Sequence, residues 1–183
     1  MIAALSSASG SRGMAGGQAI DLESVGKKLD LVGLQQMHAM KTGALLSCAV
    51  ELGGIAANLD ADQLAQLQQY STALGLAFQI VDDVLDATAD SQTLGKTAGK
   101  DAANDKPTYV TLMGLDYAQQ QAKELQETAI TSLDGFGEKA QALKDLALLV
   151  VNRGKWHKLD AMTLYSINSP DDLKKLSREE LPA

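Results

Sequence analysis

The chain has 183 residues, 45% of them hydrophobic and only 4% aromatic, with a formal net charge of −7. This length and apolar content support a sizeable core and exclude a disordered chain, while the acidic balance excludes nucleic acid as the main partner. The single cysteine, Cys48, excludes an internal disulfide framework and reads as a small buried apolar residue in a reducing compartment.

In chain order, Met1 to Ser7 reads as the end of a helix, and the Ser- and Gly-rich stretch Ala8 to Gly17 as a loop or broken helix. A helix is expected from about Asp21 to Gly26. Asp30 can cap the next, which runs to about Leu52 and stops at Gly53-Gly54. Asp60 can cap a third, Ala61 to about Ala89, where Leu64, Leu67, Leu74, Phe78, Val81 and Leu85 recur at helical spacing and Ser71 fills one slot. A polar loop with two Gly-Lys pairs follows, from Asp90 to Lys106. Pro107 can open a helix over Thr108 to Leu115. A polar helix from Asp116 to Asp134 is broken by Gly135-Phe136-Gly137, and Glu138 to Arg153 is amphipathic. No segment shows the two-residue alternation of a strand. The expected architecture is an all-α bundle over residues 1–154, with an atypical tail over 155–183. No apolar run approaches the length of a membrane span, and MIAALSSASG lacks a basic n-region. A soluble cytoplasmic protein with no membrane partner is therefore expected.

The third helix ends in FQIVDDVLD. At about 100° per residue, Asp82 and Asp86 lie within about 40° of each other with Gln79 beside them and Asp83 on the flank. Like charges at this spacing, at the negative end of the helix dipole, destabilise the helix by roughly 0.2–0.5 kcal/mol per pair. Either Lys96 and Lys100 in the following loop or a hard divalent cation would compensate. A solvated acidic helix end with local ion pairs is the plainer reading. Lysines beside carboxylates suit a diphosphate, with Mg²⁺ bridging carboxylate to phosphate.

Four segments in order resemble the trans-prenyltransferase family, most closely its bacterial short-chain farnesyl diphosphate synthases. They are SRGMAGGQAIDL (Ser11 to Leu22), MHAMKTGALL (Met37 to Leu46), FQIVDDVLD (Phe78 to Asp86) and LGKTAGKDAANDKPTYV (Leu94 to Val110). The resemblance implies an isoprenoid-synthase-type helical bundle, a homodimer, and condensation of an allylic diphosphate with isopentenyl diphosphate. It implies Mg²⁺ ligation by Asp82, with Asp83 and Asp86 completing the acidic cluster and Asp86 acting through water. It also implies allylic diphosphate contacts from Lys41 and Lys96. Thr42, Gln79 and the Lys41 carbonyl would turn dipoles toward the developing cation, and Phe78 and Gln79 would line the cavity. Lys100 and Lys106 are further loop cations, Gln18 and Asp21 would order the nearby helix junction, His38 reads as structural, and Met37, Met40 and Met113 read as core.

The family's first aspartate-rich motif, its following arginines and its basic groups for isopentenyl diphosphate have no counterpart here. The chain is therefore expected to be an N-terminally truncated portion of such an enzyme. A non-catalytic subunit and an all-α terpene cyclase are the alternatives. The tail segment MTLYSINSPDDLKKLSREELPA, from Met162, resembles the opening of deoxyxylulose-phosphate synthase. That likeness implies an origin in a neighbouring reading frame.

Overall fold

A computed structural model of the chain describes residues 1–27, 29–88 and 107–153. Its regular elements are α1 (Ile2–Ser9), α2 (Met14–Glu23), α3 (Leu31–His38), a π-helical segment (Ala39–Gly43), α4 (Ala44–Ala56) and α5 (Ala61–Thr88). After these come α6 (Tyr109–Met113), α7 (Leu115–Thr131), a 3₁₀ segment (Asp134–Ala140) and α8 (Gln141–Asn152). Every regular element among the described residues is helical, so the fold is all-α. The chain divides into a compact unit Met1–Val151 and a second unit Asn152–Ala183. The loop 90–106 and the tail from 155, with its deoxyxylulose-phosphate synthase-like segment, lie outside the described residues.

α5 is the axis of the main unit, for a reason visible in its sequence. The 28-residue helix starts with a reciprocal cap: Gln63 N–H donates to Asp60 Oδ1 at 2.8 Å, and Asp60 N–H donates to Gln63 Oε1 at 3.1 Å. This satisfies two orphan donors of the first turn. Its buried residues are Leu67, Tyr70, Ser71, Ala73, Leu74, Gly75, Ala77, Ile80 and Val81. That is wider than the expected seam: Leu64, Phe78 and Leu85 are only half-buried, while small residues carry much of the burial.

Two apolar clusters divide α5 between them. Its first half packs Leu67, Tyr70 and Leu74 against Ala129 and Leu133 near the end of α7 and Ala147 of α8. Its second half packs Ile80 and Val81 against Leu34 and Met37 of α3, Tyr109 of α6, and Ala118 and Ala122 of α7. Met37 is thus core, as expected.

Three boundaries differ from the sequence reading. α1 ends at Ser9, the chain turns over residues 10–13 and α2 runs from Met14 to Glu23, so the Ser- and Gly-rich stretch is a broken helix as expected, but no helix starts at Asp21. The second correction is at Gly53-Gly54, which does not stop the chain: α4 runs through to Ala56. A Cβ at Gly54 would lie 2.7 Å from Leu64 Cδ2 and 3.0 Å from Leu67 Cδ1, so glycine serves close packing against α5 here. Third, the helix after Pro107 is short. Thr108 caps it, accepting from Thr111 N–H at 3.1 Å, and it ends at Met113.

The helical run Leu31–Ala56 is 26 residues long, with a mean hydropathy of 1.2 in its most apolar window. By length and composition alone it would pass as a membrane span, which corrects the expectation that no such run exists. Its Lys41 carries a salt bridge near mid-helix, and Leu34, Met37 and Cys48 are buried against the bundle. An intramembrane charge is costly and rare, so this is read as a bundle helix.

Tyr70 ties α5 to α8, donating from its hydroxyl to the Leu143 carbonyl at 2.8 Å. Burial pushes its phenol up to about 12 from 10.0. Stability resting on the neutral phenol is complete below pH 10.0 and is lost as pH rises through about 12. Tyr70→Phe should cost about 1 kcal/mol in urea titrations at neutral pH. It should also soften the loss of stability across that alkaline window; an unchanged alkaline profile would exclude Tyr70 as its source.

Candidate active site

Lys41 interrupts an apolar helix, so its ammonium needs an anion within reach. Asp21 of α2 supplies it: Lys41 Nζ donates to Asp21 Oδ2 at 2.6 Å. The Asp21 side chain is 11% exposed and that of Lys41 34%, so the pair sits at the edge of the interior. Ser24 helps fix this end of α2, its hydroxyl donating to the Asp21 carbonyl at 2.8 Å.

Two local features bring the pair together. Lys41 and Thr42 lie in the π-helical segment Ala39–Gly43. The extra residue in such a turn rotates the following side chains, and such turns occur often at functional sites. Gly17 of α2 is buried directly against this segment, and a Cβ there would run into the Lys41 backbone nitrogen. The helix that carries Asp21 can therefore approach only without a side chain at position 17.

Gly43 at the end of the π segment faces Gly75 of α5; a Cβ at Gly75 would lie 3.4 Å from Gly43 Cα. Around this crossing opens a cleft of about 380 Å³, lined by His38, Gly43 and Ser47 on one side and by Thr72, Gly75 and Leu76 on the other. Gln68, also in its lining, begins a stripe along α5. Thr72, Gly75, Gln79, Asp82 and Asp86 continue it at alternating steps of three and four. Side chains at these steps share one helix face. Asp82 thus stands about 10 Å beyond Gly75 along the helix, at 1.5 Å per residue.

Lys41 and Thr42 are half-buried in the π segment, and Gln79 and Phe78 are half-buried one turn beyond the cleft. Asp82 is exposed, and Asp83 and Asp86 are half-buried in the last turns of α5. One oxygen of Asp83 is engaged elsewhere: Tyr109 N–H donates to Asp83 Oδ2 at 2.7 Å. Lys96, Lys100 and Lys106 lie outside the described residues. The sequence reading set Asp21 at a helix junction, but its ion pair with Lys41 spans 20 residues and has no local signature. The π turn at Lys41 likewise had no sequence cue.

Among the described residues, no three of His, Cys, Asp and Glu gather closely enough to hold a metal by themselves. Asp82 and Asp86 offer hard oxygens one turn apart on a single stripe. That donor set suits Mg²⁺, which keeps water and substrate phosphate in its shell and takes only one or two protein carboxylates.

The all-α bundle is shared with solved prenyl synthase structures. The chain superposes with a TM-score of 0.71 on an FPP/GFPP synthase from Zymomonas mobilis, at 38% identity, over 81% of this chain and 49% of that one. With a geranyltransferase from Helicobacter pylori, solved with magnesium and isoprenyl diphosphate, the TM-score is 0.68 at 32% identity, over 83% of this chain and 50% of that one. In sequence it is 43% identical over 159 residues to the farnesyl diphosphate synthase of Escherichia coli strain K12, covering 85% of this chain and 53% of that enzyme. The polyprenyl synthetase family model matches residues 2–146, and the chain belongs to that family. It spans about half the length of the curated relatives it matches.

The Lys41–Asp21 pair makes a direct prediction. Asp21→Ala leaves a half-buried ammonium without its anion and should lower stability by about 1–3 kcal/mol. Asp21→Asn, which keeps an acceptor, should cost less. Urea midpoints of the two variants check this; equal midpoints for wild type and Asp21→Ala would show that the pair contributes nothing.

Proposed function

We propose that this chain serves Mg²⁺-dependent prenyl transfer of the farnesyl diphosphate synthase type, in which an allylic diphosphate is joined to isopentenyl diphosphate. The observation that carries this reading is the α5 stripe, in which Gln79, Asp82 and Asp86 continue at helical spacing from the cleft-lining Gly75, itself packed on Gly43 of the π segment that carries Lys41 and Thr42. In this reading Asp82 is the direct Mg²⁺ ligand, Asp86 acts through water, and Asp83 completes the acidic end of the helix. Bound Mg²⁺ would supply charge neutralisation of the leaving diphosphate.

The chain's own groups then divide the remaining work. Lys41, with Lys96 of the loop, holds phosphate oxygens. Fixed dipoles of Thr42, Gln79 and the Lys41 carbonyl face the carbon from which diphosphate departs, and being preorganised they stabilise developing positive charge without reorganisation. Half-buried Phe78 and Gln79 screen that carbon from water. A cytoplasmic homodimer fits the reading. Association is supported by apolar side chains on the surface, such as Ile2, Leu22 and Val32 at 85%, 66% and 70% exposed.

A second reading is a non-catalytic subunit that partners a longer catalytic chain, a contact that exposed Ile2, Leu22 and Val32 would also serve.

Purified chain incubated with Mg²⁺, isopentenyl diphosphate and a labelled allylic diphosphate should form a product longer by five carbons. Asp82→Ala and Lys41→Ala should each lower turnover by about 100-fold or more. Product formed only after mixing with a longer homologue would favour the second reading. Wild-type turnover in Asp82→Ala would overturn the first.

A further inference from the structure

The acidic cluster DDVLD contains one member whose surroundings differ from the others. Asp83 does not lie on the Gln79–Asp82–Asp86 stripe. Its Oδ2 accepts the backbone N–H of Tyr109 at 2.7 Å, across 26 residues of sequence. Tyr109 opens α6, and its N–H is one of the donors that a helix start leaves without an intrahelical partner. Thr108 and Thr111 already cap each other at this end, Thr108 N–H donating to Thr111 Oγ1 at 2.9 Å and Thr111 N–H to Thr108 Oγ1 at 3.1 Å. Those bonds leave the Tyr109 amide to Asp83.

The residue so held is central to the second core cluster. Tyr109 is fully buried among Leu34, Met37 and Ile80. Its ring lies 5.4 Å from that of His38, centroid to centroid, at 41°. His38 is the last residue of α3 and directly precedes the π segment that carries Lys41. Burial, and to a lesser extent the nearby Asp83 charge, pushes the Tyr109 phenol upward.

We propose that Asp83 is a positioning residue, which anchors the start of α6 to the end of α5 and does not bind metal. The inference rests on the functional reading above and divides the labour within DDVLD. Asp82 and Asp86 face the cation, and Asp83 fixes the packing of the helix they stand on. The charge of Asp83 strengthens its hydrogen bond, but the bond itself requires only an acceptor oxygen. An amide can replace the carboxylate in this role, whereas Mg²⁺ strongly prefers a carboxylate.

The test compares Asp83→Asn, Asp83→Ala and Asp82→Asn in the full chain. Two quantities are read: hydrogen exchange at the Tyr109 amide without ligand, and the rise in Tm on adding Mg²⁺ with inorganic diphosphate. Asp83→Asn should keep Tyr109 protected within about tenfold of wild type and retain the ligand-induced rise. Asp83→Ala should lose protection by more than about tenfold, which corresponds to roughly 1.4 kcal/mol for a lost charge-assisted bond. Asp82→Asn should keep protection and lose the rise.

The proposal is overturned if Asp83→Asn abolishes the rise as Asp82→Asn does, or if Asp83→Ala leaves Tyr109 protected. If Asp83→Ala does not fold while Asp83→Asn does, the requirement for an acceptor stands. If wild type shows no rise at all, the functional reading fails, and the exchange data alone still decide whether Asp83 anchors α6.

Discussion

A charge drawn into a helical bundle must be matched where it stands, and that constraint shapes this molecule. Lys41 projects from the middle of a long apolar helical run, and the bundle meets it with a nearly buried aspartate at 2.6 Å. The match has structural consequences. α2 must lie flat against the π segment, so position 17 cannot carry a side chain. The π turn in turn sets Gly43 against Gly75, which fixes where α5 passes and therefore where its polar stripe emerges.

At the other end of that stripe the same constraint works with different partners. Asp83 meets a backbone donor at the start of α6. For Asp82 and Asp86, the functional reading assigns a magnesium ion and a diphosphate. In that reading, lysine and aspartates would act as two halves of one anion-handling device. Asp21 balances the lysine within the protein. An arriving diphosphate adds negative charge that the aspartate end can accept only with metal, which is why the reading couples substrate and cation.

Much of the fold was legible because it is governed locally. The apolar recurrence in α5 and the caps at Asp30 and Asp60 are read within one or two turns of chain, and the structure contains them. What was not legible is governed by contacts distant in sequence. The break expected between Ala8 and Gly17 falls at residues 10–13, and Gly16 and Gly17 lie on its helical side because α2 packs on Lys41. Gly53 and Gly54 look like a stop, yet the helix continues because Leu64 and Leu67 need that space. At the site, residue types and spacing marked the aspartates with Gln79 beside them, and the family resemblance marked Lys41. The ion pair to Asp21 and the bond from Tyr109 to Asp83 close over 20 and 26 residues, beyond the reach of any local pattern.

In the functional reading, the acidic end of α5 and the lysine turn receive one metal–diphosphate complex. Amide spectra of the ¹⁵N-labelled chain with inorganic diphosphate and paramagnetic Mn²⁺ in place of Mg²⁺ test it most directly. Broadening should be strongest at Asp82 and Asp86 and extend to Lys41 and Thr42. Broadening centred on other surface carboxylates such as Glu124 and Glu127, with Asp82 left sharp, would contradict it.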